Sequence, residues 1–393
     1  MYDWCVHPLS AHRFLVRVAL SLSQIFAWIL VFDATYSVTQ SVTDSLAVTV
    51  LAYAMVHALA FLLTPVAARA LQFGVRRMID YAVLSYATAL VLIGSAFIGL
   101  LGEGLYNMWY GLLGFVLLNG LFRSLYFVAY RTESYDSRTQ RLSLGHEVSL
   151  ALMPLAGAIV LTGATLGFFW LPLLAAFVLL IALLPLSYTR EMYEDYSWGY
   201  GETYTQLIEP RHRAIVVKSI LDGVQGTGLI LLWPLAIFLI LDWSYIMLGG
   251  VLSATALILL AVNRHFSHHL AKKPSDDIIA ICTVGAWGMR CLAFSPVSMI
   301  AADVLHEVTV GRSRHSVDAH SFEQHADMGH YVDELTTLKQ ISLAAGRVFT
   351  ALVVVALASS QSVHLMLGGG FALSVIAGFY AAYSHRLTNT EEM

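Results

Sequence analysis

Charge is what this chain has least of. Only 12% of its 393 residues are Asp, Glu, Lys or Arg, against 58% apolar residues and a mean hydropathy of +0.69. That balance excludes an ordinary soluble domain and points to a chain built for lipid. Cysteine is nearly as scarce: Cys5, Cys282 and Cys291 make no CxxC spacing, so neither a disulfide scaffold nor thiol redox chemistry is encoded. Catalytic motifs are missing as well. His146-Glu147 and His306-Glu307 each open an HExxH pattern, but Leu150 and Val310 stand where the second His is required. There is no GxSxG nucleophile turn and no GxxxxGK[ST] phosphate loop, which argues against a hydrolase or an ATP-driven pump and leaves a gradient as the energy source. The chain is expected not to be an enzyme, to need no cofactor and to bind no nucleic acid.

The apolar residues gather into twelve stretches, near 13–34, 45–66, 80–101, 107–130, 147–166, 168–188, 214–240, 244–262, 277–295, 297–314, 339–358 and 363–384. Each holds about 18 to 25 residues, enough at about 1.5 Å per residue to cross a hydrocarbon core of about 30 Å. The loops between them alternate in charge. Arg13 precedes span 1; Arg69, Arg76 and Arg77 lie between spans 2 and 3, and Arg131, Arg138 and Arg141 between 4 and 5. Arg190, Arg211 and Arg213 lie between 6 and 7, Arg264, Lys272 and Lys273 between 8 and 9, Arg312 and Arg314 between 10 and 11, and Arg386 follows span 12. The intervening loops carry Asp44, Glu103 and Asp242 but no Lys or Arg. Basic loops stay on the cytoplasmic face, so both termini are expected inside. The expectation is an all-α, twelve-helix, multi-pass protein of the cell membrane, the inner membrane if the source is bacterial. The first run is too long for a cleaved signal and lacks a small-residue cleavage site, so span 1 is expected to serve as an uncleaved anchor.

Six spans, a linker over 189–213 and six more spans predict two six-helix bundles, over 1–188 and 214–393. The linker run from Met192 to Tyr200 is aromatic and acidic, suited to the inner interface. His146-Glu147-Val148-Ser149-Leu150-Ala151 opens span 5, and the related Lys339-Gln340-Ile341-Ser342-Leu343-Ala344 opens span 11, the fifth span of each half. Between spans 2 and 3, Phe73-Gly74-Val75-Arg76-Arg77 supplies a turn glycine and two arginines, and span 5 carries Ser149, Pro154 and Gly157. In topology along the whole chain and in these two motifs, the sequence resembles the major facilitator superfamily. It departs from the loop motif where Leu71 and Gln72 replace an acidic residue, and from the span 5 motif where Met153 and Ala158 replace glycines. The resemblance implies halves related by an axis along the membrane normal, alternating access, and a central cavity lined by spans 1, 4, 7 and 10. It also implies a charge relay at Gly74, Arg76 and Arg77, here without its carboxylate, and a slight lean of Pro154 and Gly157 toward export.

An ionisable residue inside a span costs about 2.5 to 3.5 kcal/mol on insertion scales, so each is a functional candidate. Span 10 holds Asp303, His306 and Glu307, which share a helical face by i, i+3 and i+4 spacing and, on a cavity helix, could carry a proton. Arg123 in span 4 lies about two turns, roughly 10 Å, from the inner end, where it snorkels, binds an anion or locks the halves. Arg347 in span 11 has no acid in its own helix, so Asp303 or Glu307 is its expected partner. Lys218 and Asp222 in span 7 are spaced to satisfy each other, with Asp222 a secondary coupling candidate. Gln24 in span 1 and Asn119 in span 4 can bind a solute or join helices, and Asp33 reads as a helix-end charge. In span 7, Gly223, Gly226 and Gly228 precede Trp233-Pro234, a run that either kinks the helix or admits a close neighbour.

His315, His320, His325 and His330 recur in the loop between spans 10 and 11, with His265, His268 and His269 on the same side. A five-residue repeat puts no ligand set on one helical face, so metal binding there is the weaker alternative to a solvated loop. The reading is a secondary active transporter for a small solute, with protons as the coupling ion and the bilayer as its surroundings. A divalent-cation carrier, and a facilitator-fold receptor or assembly factor that no longer transports, are the alternatives.

Overall fold

The computed structural model describes residues 8–102, 104–136, 144–164, 166–265, 276–308 and 332–389, and their regular structure is entirely helical. The first six spans are α1 (Pro8–Thr39), α2 (Val42–Ala70), α3 (Val75–Phe97), α4 (Gly104–Asp136), α5 (Leu144–Gly163) and α6 (Gly167–Leu186). A linker helix, α7 (Tyr200–Gln206), leads to α8 (Arg213–Thr227), which runs through a π-helical turn at Gly228–Leu232 into α9 (Trp233–Ile240). The rest are α10 (Tyr245–His265), α11 (Asp276–Cys291), α12 (Pro296–His306), α13 (Val332–Ala356) and α14 (Val363–Asn389). Among the described residues ten helices are long and apolar enough to cross a membrane. The chain is a multi-pass membrane protein. Spans 9 and 10 are shorter than expected: α11 ends at Cys291, and α12 enters a π turn at 307–308, beyond which its expected course to 314 lies outside the described residues.

Local chemistry sets the helix starts. The Ser41 hydroxyl accepts the Asp44 N–H at 3.3 Å and opens α2. Ser295 does the same for Ser298 at 3.3 Å in α12, with Pro296 where no N–H is needed. Along α2, Leu51, Met55, Leu62 and Val66 are exposed while Val50, Tyr53, Val56 and His57 are buried. The exposed stripe is the face that lipid covers.

In the first half α1 packs on α6, α2 and α5, α3 on α4 and α6, and α2 on α4. In the second half α8 packs on α13 and α14, α11 on α14 and α12, and α10 on α12. Across the halves the broadest contacts are α2 with α13 and α5 with α10, followed by α4 with α13. Lipid supplies no hydrophobic drive between helices, so close backbone approach holds them. A Cβ on Gly223 of α8 would strike the Leu343 carbonyl of α13, and one on Gly346 of α13 would strike the Ile220 carbonyl of α8. The glycine run of span 7 thus admits the close neighbour expected of it at Gly223, and Gly228 begins a π turn.

Candidate functional site

Between α1, α3 and α4, the side chains Leu20, Gln24, Tyr86, Asn119, Phe122, Arg123 and Phe127 line a cavity of about 10 Å³, the room of roughly one water. Gln24, Asn119 and Arg123, read separately from the sequence, thus come together. Arg123 is only 8% exposed, so it does not snorkel, and its Nε has no hydrogen-bond partner. Close enough to interact with it electrostatically are His57 of α2 and Arg347 of α13. The His57 ring meets the Tyr53 ring edge-on at 4.4 Å. The Tyr53 hydroxyl, His57 Nε2 and Arg347 Nε are all buried without a hydrogen-bond partner.

The expected pairing of Arg347 with Asp303 or Glu307 is not what the structure holds. Asp303 Oδ1 instead accepts from Arg290 of α11, Nη2 at 2.8 Å and Nε at 3.2 Å. The Arg290 guanidinium also lies 4.5 Å from the Trp287 ring centre and 5.6 Å from that of Trp233. The acidic face of span 10 is split accordingly. Asp303 is half-buried toward Arg290, His306 is buried with its ring 6.2 Å from that of Trp287, and Glu307 is exposed. Glu307 nevertheless stays one turn from Asp303, its N–H donating to the Asp303 carbonyl, and its charge also acts on Arg290. Sequence reasoning misses Arg290. The signal that finds it is an arginine inside span 9, 13 residues before an intramembrane acid across a tight turn. Lys218 and Asp222 are half-buried one turn apart on α8, and Trp233 and Pro234 are buried where α9 begins.

At the end of the bundle expected to face the cytoplasm, Gly74 has φ +118°, and a Cβ there would meet the Glu191 carboxylate. Glu191 Oε1 accepts the Arg76 N–H at 2.9 Å and the Arg77 N–H at 3.4 Å, while Oε2 lies 3.5 Å from Arg76 Nε. A carboxylate belongs at a helix N-terminus, where free N–H groups and the dipole favour it. The acid that the loop motif lacks before Gly74 is thus supplied from beyond α6, and the carboxylate missing from the sequence motif is present in space. In span 5, a Cβ on Gly157 would lie 2.9 Å from the Phe26 ring of α1. Next to Pro154, the Leu155 N–H donates to the Ser253 hydroxyl of α10 at 3.0 Å.

At the opposite end of the bundle Asp33 is more than a helix-end charge. Its Oδ2 accepts from the Tyr245 hydroxyl of α10 at 2.8 Å, and Trp243 packs on Phe32 and Tyr36 at 5.2 and 4.6 Å between ring centres. His315, His320, His325 and His330 lie outside the described residues, as do His268 and His269, while His265 ends α10. Among the described residues no three His, Cys, Asp or Glu side chains are placed to hold a metal ion.

No family model matches the sequence, and no curated protein does. Solved structures match the fold along its whole length. The in meso crystal structure of the POT family transporter PepTSo is similar at a TM-score of 0.66, with 11% identity over 99% of each chain. A D-xylose-proton symporter is similar at 0.65, with 11% identity over 96% of each chain. A POT family transporter in complex with 5-aminolevulinic acid is similar at 0.62, with 12% identity over 97% of this chain and 96% of that one. The chain has the fold of these transporters.

Proposed function

We propose that this chain is a secondary active transporter that moves a small solute by alternating access, coupled to protons. The observation that carries the reading is the pairing of helix contacts. The contacts α1 with α6, α3 with α6, α3 with α4, α2 with α4 and α1 with α5 correspond one for one to α8 with α14, α11 with α14, α11 with α12, α10 with α12 and α8 with α13. The two broadest cross-half contacts, α2 with α13 and α5 with α10, exchange under the same operation, whereas α4 with α13 and α1 with α2 have no comparably broad counterpart. This supports the facilitator arrangement of two six-helix halves, 1–188 and 214–393, rocking about a site between them. Proton coupling draws support from the likeness to a proton symporter and from Asp303, whose protonation would release Arg290. Glu307 is the second proton candidate. Gly74, Arg76 and Arg77 with Glu191, Pro154 with Gly157, and Trp233-Pro234 after the π turn are the places where the halves bend or lock.

The test is solute-driven proton flux into liposomes holding the purified protein, with solute counterflow, which needs no net proton movement, measured beside it. Asp303→Asn and Glu307→Gln are expected to lose proton flux and keep counterflow. Proton flux unchanged in both variants would remove this coupling mechanism, and an absence of both signals with every solute would favour the receptor reading.

A further inference from the structure

We infer that the solute is an anion, gripped between Arg123 of α4 and Arg347 of α13 with Tyr53 and His57 of α2 beside them; this rests on the transport reading above and names its substrate class. Buried charges in proteins are almost always paired, and each orphan calls for an explanation. Arg290 obeys the rule through Asp303 on the next helix, with only its Nη1 left without a partner. Arg123, buried, and Arg347, half-buried, do not: each leaves its Nε without a hydrogen bond, and neither forms an ion pair with a described residue. Around them two further buried polar atoms, the Tyr53 hydroxyl and His57 Nε2, also lack partners. Four orphaned groups converging on one place are the imprint of a ligand rather than of a packed core.

The sign of that ligand follows from the charges. Two guanidinium groups repel each other, and Asp303, the partner expected for Arg347, is engaged by Arg290. A guanidinium offers a planar fork of donors that matches the two oxygens of a carboxylate, phosphate or sulfate group. Gln24 and Asn119 line the cavity with Arg123; it has room here for about one water, so they donate to the remainder of such a solute when the cavity widens. Geometry adds a consequence. Arg123 belongs to the first half and Arg347 to the second, so the anion is the group that lets the two halves close, by replacing repulsion with two charged hydrogen bonds.

Thermal melting of the purified protein would be followed against succinate, inorganic phosphate and sulfate at constant ionic strength, with sorbitol and choline as neutral and cationic controls. At least one anion is expected to stabilise the protein saturably, and Arg123→Gln or Arg347→Gln to weaken that affinity by about 10- to 100-fold. Arg123→Lys, which keeps the charge but not the fork, should fall between and shows whether a Gln variant has merely misfolded. Succinate against phosphate and sulfate separates the carboxylate from the tetrahedral anions. No saturable effect from any anion, or one untouched by either Gln variant, overturns the inference. Counterflow of the same solutes separates the two claims: counterflow of sorbitol or choline with none of the anions sinks the anion class and keeps transport, whereas variant-sensitive anion binding with no counterflow keeps the site and sinks transport.

Discussion

Arg290 and Asp303 illustrate what a single buried charge demands. The Arg290 side chain is 1% exposed and Asp303 14%, so solvent screens neither well, and removing one partner strands the other. Arg290→Met is expected to cost about 3 kcal/mol, seen as a lower melting temperature, and a second substitution, Asp303→Leu, to recover most of it. Gly74 answers to a different constraint. At φ +118° a side chain is strained whatever the space around it. Gly74→Ala should therefore destabilise by roughly 1 to 3 kcal/mol. Adding Glu191→Ala relieves the collision but not the strain, so melting should recover only in part.

At the scale of an element, the linker shows how a proline creates a binding place. Pro65 has no N–H, which leaves the Phe61 carbonyl of α2 without its helical partner. The Tyr204 hydroxyl of α7 donates to that carbonyl at 3.1 Å, and Tyr200 donates to the Leu62 carbonyl at 3.3 Å. Ser197 donates to Glu334 of α13, so the linker also holds the second half. Tyr204→Phe should cost about 1 kcal/mol and be read as faster proteolytic cutting of the linker with little change in the melting of the helices. Burial first, and then the hydrogen bond with Tyr200, raise the Tyr204 phenol above its usual value. The folded state thus holds that proton more tightly than the unfolded chain. Its contribution is fully present below pH of about 10 and declines as pH rises beyond it, which linker proteolysis across a pH series would report.

At the scale of the whole molecule, α1 and α10 are tied at one end of the bundle by the Asp33 and Tyr245 hydrogen bond and the stack around Trp243, and α13 is tied at the other by the linker. On the proposed transport reading the Asp33 end faces outward, and alternating access requires its tie to break. Tyr245→Phe removes one hydrogen bond to a charged group, a shift of about tenfold toward the outward-open state. A cysteine at Leu20 of the cavity, in a background without Cys5, Cys282 and Cys291, should then react faster with an impermeant maleimide added outside. An unchanged rate would show that the tie does not govern opening.

The helical spans of a multi-pass membrane chain were legible because hydropathy is a local property of consecutive residues. So were the polar residues of the cavity, since each is costly in lipid and stands out one at a time. What sequence order does not carry is who faces whom. Arg347 was legible as an unpaired charge, but its distance from Asp303 was not, because that depends on which way α12 is turned and on Arg290 competing for the same carboxylate. Glu191 reaches Gly74 across four helices of intervening chain, and Asp33 finds Tyr245 in the opposite half. Composition and periodicity determined that these helices exist and are apolar enough to cross a membrane; tertiary contacts, through close glycine approaches, a π turn and ion pairs between distant residues, decided which charges were satisfied and left Arg123 and Arg347 without an ion pair among the described residues.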